Sequence, residues 1–449
     1  MAERIRGFLT AKNIFFILFL IGITIQWPFS GLLPLELALI DLILVVICLV
    51  WIVKTPDLRG AVAKAFEHPL LWILAAWAIW ALFLWIVSSD WAYLINETRW
   101  LFLGTAAFAF LMSVLQSDWR RMVAIFLVFA AFIAAVTDLQ GLTGFFKPPF
   151  AALMEKEIWV SPTEAVTQPV AVGFFRHPNV FGAFVLWPLL LTVGFLSDRR
   201  KRLLGILGIL FFGASLYLSY YRTLFLGVGF ALAIFILIRS RLSPRLVGWL
   251  IAGIALLVIA GSVLALQLFP NLEFFTNLWF RVRLWESSLN AIQSEPIILL
   301  LGSGFSPSAE LLLNAARSDP HNAFLYMTMH YGLPGLLLFL AIIGLVIREG
   351  WKAYRDGTFL AEPLLAALWS GLLAWFLTDL IDSRLSTPEW QMMFMLILAL
   401  FFSRLKQGAV KSVPAEQAEI PLQRKSAAVS DAEANRTSAP VKKARARKP

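Results

Sequence analysis

Cysteine is nearly missing from this chain, with one residue, Cys48, among 449. A single thiol excludes an internal disulfide and a cysteine-based zinc site; lying inside an apolar run, it says nothing about redox compartment. Charge is scarce as well: Asp, Glu, Lys and Arg make up 15% of the residues against 59% hydrophobic, with a mean hydropathy of +0.77. A water-soluble protein of this composition would have too little polar material to cover its surface. A Walker-type glycine loop, a His-x-x-x-His pair and a clear repeat of the inverted-transporter kind are also lacking.

What is present is a series of apolar runs, each about 20 residues long. That length matches a hydrocarbon core roughly 30 Å thick at about 1.5 Å per helical residue, and it argues against the short alternating strands of a barrel. The sequence therefore reads as an all-α polytopic membrane protein with about twelve transmembrane helices, at 12–28, 33–53, 70–88, 97–116, 120–140, 178–197, 202–220, 222–240, 245–268, 322–347, 361–382 and 388–404. The chain divides into spans one to five over 1–140, a loop over 141–177, and spans six to nine over 178–268. A larger loop over 269–321 follows, then spans ten to twelve over 322–405 and a basic tail over 406–449. The run from Asn13 to Trp27 lacks a small-residue cleavage site and reads as a retained helix rather than a signal peptide.

Net charge is +10, and from Arg404 onward 11 Lys and Arg stand against 4 Asp and Glu. Most of the basicity is thus a tail, expected to be a disordered cytoplasmic extension touching anionic lipid, and not a nucleic-acid face. Twelve spans put both termini on one side, and the loops there carry 18 Lys and Arg against 9 on the other. This asymmetry makes the first side cytoplasmic. Seven of the nine exceptions are arginine: Arg99, Arg176, Arg222, Arg281, Arg283, Arg317 and Arg384. Arginine's planar fork holds carboxylate or phosphate oxygens in pairs, so the bias points to anion recognition on the outer face. The plainer reading of any one of them is headgroup contact, or pairing with Asp90, Glu97, Asp379 or Asp382.

Within that outer face, Arg222 follows a turn so short that it must sit at the membrane boundary, where a retained cation asks for a partner. Asp41 lies near the middle of the second span, either functional or a hydrogen-bonded structural acid. Gly302-Ser303-Gly304 reads as an anion-binding set of amides or as a plain turn. His321, at the start of the tenth span, can meet both water and a lipid-borne substrate, and histidine exchanges protons near neutral pH. The plainer reading is a helix-entry residue with a local backbone hydrogen bond. His330 falls about 180° further round that helix, and His177 is the rival at the same boundary.

Taken together, Arg281-x-x-x-Trp285, Glu295-Pro296, Leu301-Gly302-x-Gly304-Phe305, His321-Asn322 and Gly332-Leu333-Pro334-Gly335 resemble the core of the O-antigen ligase and polymerase superfamily. Gly173 through Pro178-Asn179-x-x-Gly182 and Tyr221-Arg222 agree with it, so the resemblance covers about 170–345 and is most like an O-antigen ligase. It implies a metal-independent, inverting glycosyltransferase of the bacterial inner membrane, with both termini cytoplasmic, the site facing the periplasm and no cofactor. The donor would be a glycan on undecaprenyl diphosphate and the acceptor the lipid A core oligosaccharide, in lipopolysaccharide assembly. Carried over by position, His321 would activate the acceptor hydroxyl, and Arg222 and Arg281 would hold the diphosphate. Arg176 and Arg283 depart from the family pattern and are candidate extra phosphate contacts.

Such residues suit the chemistry, since a lipid diphosphate leaves readily once preorganised guanidinium groups neutralise it and one base serves the incoming hydroxyl. An O-antigen polymerase and a protein O-oligosaccharyltransferase would use the same donor. A reading from another class, a flippase for lipid-linked sugars, is motivated by the twelve spans and Asp41, but predicts binding charges near the midplane rather than at one face.

Overall fold

The computed structural model describes residues 11–24, 39–54, 66–88, 91–143, 155–161, 164–175, 177–240, 242–268, 273–302, 320–383 and 388–409. Most of the described residues are helical. In chain order the helices are α1 (Ala11–Thr24), α2 (Leu39–Lys54), α3 (Pro69–Val87), α4 (Trp91–Thr143), α5 (Pro178–Phe195), α6 (Arg202–Leu218), α7 (Arg222–Arg239) and α8 (Pro244–Leu268). They continue with α9 (Glu273–Ser294), α10 (Pro296–Leu301), α11 (Ala323–Arg355), α12 (Thr358–Ala361), α13 (Pro363–Thr378) and α14 (Pro388–Ala409). Among the described residues, five segments are long and apolar enough to cross a membrane, and six shorter apolar helices accompany them. The protein is a helical membrane protein.

Proline starts many of these helices because its fixed φ suits the first turn and the N–H it lacks would have no partner there. Pro69, Pro178, Pro296 and Pro363 all stand at that position. Ahead of two of them the residue is histidine: His68 Nδ1 accepts from the Leu70 amide at 3.2 Å, and His177 Nδ1 from the Asn179 amide at 3.1 Å.

Two helices are buried on nearly every side, α5 along its whole length and α14 from Trp390 to Ser403. They form the axis of the bundle. Trp187 of α5 stacks on Trp375 of α13 with centroids 5.5 Å apart, a packing that needs Gly371, whose Cβ would come within 2.7 Å of the Trp187 ring. The peripheral helices turn large apolar side chains outward, among them Trp72, Ile79, Ile86, Val128, Leu203, Leu210, Trp249 and Leu257. So wide an apolar exterior is unfavourable in water and favourable in lipid.

Three differences from the sequence reading stand out. The fold is not all helix, because 155–161 and 164–169 pair as an antiparallel hairpin, β1 (Glu155–Ser161) and β2 (Glu164–Pro169), with Ile158 opposite Val166. The β-branched and aromatic residues of EKEIWVS and EAVTQP favour that state. The fourth and fifth segments meet with no loop between them, α4 kinking at Asp118 (φ −156°, ψ 65°), whose carboxylate accepts from the Arg121 amide at 3.3 Å and so caps the second arm. The expected 269–321 loop carries the 22-residue helix α9 and the short α10.

α10 lies against a break in α11 at Gly332 (φ 64°, ψ −170°). A Cβ on Gly332 would come within 2.3 Å of the Leu300 carbonyl oxygen, and one on Gly302 (φ 89°) within 2.6 Å of the His330 carbonyl oxygen. The two glycines let two backbones touch. The Gly302 amide donates to the Ile298 carbonyl at 2.9 Å, so at this residue the turn reading holds over anion binding. Ser303 and Gly304 lie outside the described residues, as do Arg176, Arg317, Arg384 and the tail beyond 409.

Candidate active site

The helix ends near His321 converge on one buried carboxylate, Asp382, in the segment that follows α13. Its Oδ2 accepts from the Tyr221 hydroxyl, its Oδ1 lies 3.3 Å from His321 Nδ1, and Arg281 Nη2 stands 3.9 Å from Oδ2. The aspartate is 4% exposed and the imidazole 37%. A buried acid of this kind is tolerable only because partners surround it, and it meets an imidazole that is partly exposed.

Local sequence explains how each group arrives. Asn322, not His321, caps α11: its Oδ1 accepts from the Phe324 and Leu325 amides, both at 3.0 Å. Its Nδ2 donates to the Leu380 carbonyl at 2.9 Å, and the Ala323 amide donates to the Asp379 carbonyl at the same distance. The start of α11 is thereby tied to the end of α13, which brings His321 to Asp382. Because Asn322 does the capping, the imidazole is left for Asp382. The helix-entry role belongs instead to His177, whose Nδ1 is the cap of α5.

Arg281 and Trp285 lie one turn apart on α9, so they share a face. Arg281 Nη1 donates to Thr223 Oγ1 at 3.3 Å and to the Ile381 carbonyl, while Trp285 Nε1 donates to the Pro320 carbonyl at 2.9 Å. One helix face therefore places the guanidinium beside Asp382 and holds the residue ahead of His321. Arg283, two positions on, lies about 200° round the helix and is exposed, so it is not brought to Asp382.

Tyr221 is positioned by a close approach. A Cβ on Gly182 of α5 would come within 2.7 Å of Ser219 Oγ and 3.0 Å of Tyr221 Cβ. The Tyr221 ring lies parallel to that of Trp390, with centroids 6.5 Å apart. The next residue, Arg222, opens α7, and a helix N-terminus carries unpaired amides and partial positive charge. Desolvation, then the neighbouring Tyr217 phenol, raises the Tyr220 phenol above its ordinary range, so it stays neutral.

Two non-glycine residues among those described have positive φ, Tyr220 at 50° and His321 at 49°. Such backbone costs about 1–3 kcal/mol and survives where the surroundings over-determine it. Each directly precedes a residue that anchors the site, Tyr221 or Asn322.

Of the expected site residues, His321 and Arg281 come together, and Arg222 begins the adjoining helix. The expectations missed Asp382 as a centre, naming it only as a counter-ion, and gave Tyr221, Thr223 and Asn322 no role. The signal in the sequence was Asp379-Leu380-Ile381-Asp382-Ser383, with two acids closing an apolar run where acids are costly. Asp41 meets Arg99 Nε at 3.2 Å, which is the structural reading of that acid.

A bundle of apolar helices with histidine, aspartate, tyrosine and arginine gathered at one end defines a helical membrane protein with a polar site at its helix termini. Residues 206–340, which carry Arg222, Arg281 and His321, match the family model described as O-antigen ligase. The chain is also 29% identical over 197 residues to the O-antigen ligase of Pseudomonas aeruginosa, covering 42% of this chain and 44% of that protein. The chain thus spans less than half the length of this curated relative. By these matches the central part of the chain is similar to O-antigen ligases.

Proposed function

We propose that this protein transfers a glycan from undecaprenyl diphosphate to the lipid A core oligosaccharide, as an O-antigen ligase of lipopolysaccharide assembly, at the periplasmic face of the bacterial inner membrane. The observation that carries the reading is the Asp382 constellation, which pairs a histidine with a carboxylate beside an arginine and a helix N-terminus. With Nδ1–H donated to Asp382, His321 keeps its Nε2 lone pair for a proton and is held in one ring orientation. The acceptor hydroxyl gives its proton to Nε2 as its oxygen bonds to the anomeric carbon. The bond from that carbon to the diphosphate oxygen breaks with inversion, and the electron pair leaves on the diphosphate. Arg281 and Arg222, with the first amides of α7, stabilise the charge that develops there.

Arg281 already spends Nη1 on Thr223 and Ile381, which fixes the guanidinium plane. Its Nη2 stands at ion-pair distance from Asp382 without a hydrogen bond. A fixed cation stabilises developing charge without reorganising at the moment of reaction, the condition under which electrostatic catalysis is largest.

The test is a reconstitution of purified protein with undecaprenyl-diphosphate glycan and lipid A core. Capped core and released carrier diphosphate are expected. Elongation of the donor on itself would point to a polymerase, and modification of a periplasmic protein to an O-oligosaccharyltransferase. Carrier transport in liposomes that survives Arg281→Ala with His321→Ala would point to a flippase.

A further inference from the structure

Helices α5, α7 and α13 each run from the neighbourhood of Asp382 to the opposite end of the bundle, roughly 25 Å away at about 1.5 Å per residue. There α4, α5, α6 and the α12–α13 connection leave an open groove of about 960 Å³, near the upper end of the roughly 300–1,000 Å³ that ligand sites occupy. Its walls are apolar, formed by Val123, Leu127 and Val128 on α4 and by Leu204, Leu207 and Phe211 on α6. Val128 and Leu204 are more than half exposed, so the trough opens sideways, toward the side on which the bundle turns out its apolar residues.

The mouth of the groove is cationic. Arg120, Arg199 and Lys201 line it and are exposed. Two acids also line it: Asp198, 3.9 Å from Lys201 Nζ, and Glu362, which is paired with Arg404. Arg239 forms part of the inner wall, its Nη1 donating to the Phe359 and Leu360 carbonyls at 2.8 Å each. Positive charge therefore remains at the rim while the interior stays apolar. A small soluble anion would use the rim and leave the walls empty. A neutral lipid would fill the walls and leave the cations without a counter-ion.

We propose that this groove binds an anionic diacyl phospholipid, its phosphate at Arg120, Arg199 and Lys201 and an acyl chain between α4 and α6. The charge pattern and the trough match the two ends of one molecule, and basic pockets between transmembrane helices suit such headgroups. The site is independent of glycosyl transfer and of the Asp382 constellation.

Native mass spectrometry of the full-length protein in detergent tests it, with phosphatidylglycerol, phosphatidylcholine of the same chains, and glycerol phosphate as probes. Phosphatidylglycerol is expected to be retained about tenfold better than phosphatidylcholine, with glycerol phosphate failing to displace it. The combined variant Arg120→Gln, Arg199→Gln, Lys201→Gln should erase that preference. Ala124→Trp, which fills the trough and keeps the charges, should cut retention of phosphatidylglycerol several-fold. Lipid-free melting temperatures near the wild-type value establish that each variant is folded; if the charge variant fails that check, Ala124→Trp decides. Equal retention of the two lipids, displacement by glycerol phosphate, or unchanged retention in a folded variant overturns the proposal.

Discussion

Two largely buried Arg–Asp pairs occupy this bundle, and they differ in almost every respect except residue type. Arg99 Nε donates to Asp41 at 3.2 Å, joining α4 to α2, and both residues sit within regular helix. Arg281 stands 3.9 Å from Asp382, at a junction of α9, α11, α7 and the end of α13, with an imidazole on the other carboxylate oxygen and a phenol beside it. Holding helices together needs only the first arrangement. The second adds a partly exposed histidine and left-handed backbone at His321 and Tyr220, a cost that serves no purpose in a mere clamp. A buried acid is thus informative less by its presence than by what else meets it.

The largest effect expected from breaking the second pair is loss of transfer. His321→Ala removes the proposed base, and a drop of about 10²- to 10⁴-fold in the rate of core capping is expected. Arg281→Ala should fall at least as far, because it removes the charge partner of the leaving diphosphate and the tie to Thr223 and Ile381 together. Both are measured as capped core formed by purified protein at equal amounts in the membrane. Wild-type rates in either variant would falsify its assigned role, and His177 would be tested next in place of His321.

Asp382→Asn separates orientation from proton transfer. The amide is near the carboxylate in size but presents a donor as well as an acceptor, and it no longer fixes His321 with Nδ1 protonated. A loss of about 10- to 100-fold in turnover is expected, with acceptor affinity little changed. A fall in acceptor affinity with turnover intact would make Asp382 a binding group instead.

The first pair should behave in the opposite way. Asp41→Ala leaves Arg99 largely buried beside a missing partner, and breaking such a pair costs about 3–5 kcal/mol of stability. A lowered unfolding midpoint in detergent is expected, while the folded protein transfers glycan at close to the wild-type rate. If transfer collapsed in protein that is still folded, Asp41 would belong with the functional acids and the contrast between the pairs would fail.

How much of this was readable in advance follows from which forces are local. The helices were legible because a run of apolar residues about as long as a bilayer is thick admits few other structures, and proline marked several of their starts. The β1–β2 hairpin was not legible, because short β-branched stretches beside proline read equally well as loop. His321 stood out by its place at a membrane boundary, and Arg281 by the arginine bias of the outer face. Asp382 did not, since its significance is the convergence of Tyr221, Arg281 and His321 from elements 61 to 161 positions away in the chain. One local clue was available. Asparagine is a far better helix cap than most residues, so Asn322 beside His321 already freed the histidine for other work.

Arg283 sharpens the comparison at the smallest scale. It shares α9 with Arg281 and the same residue type, yet lies about 200° round the helix and is exposed. If proximity to Asp382 is what makes an arginine functional here, Arg283→Ala should change core capping by less than about twofold, within the range of ordinary surface substitutions. Losing as much activity as Arg281→Ala would mean that the diphosphate is gripped from the outer side of α9 as well. The site would then extend past the Asp382 junction toward the face that Arg283 occupies. Measuring the two variants side by side, at equal protein and donor, distinguishes a pocket centred on one carboxylate from a broader cationic surface.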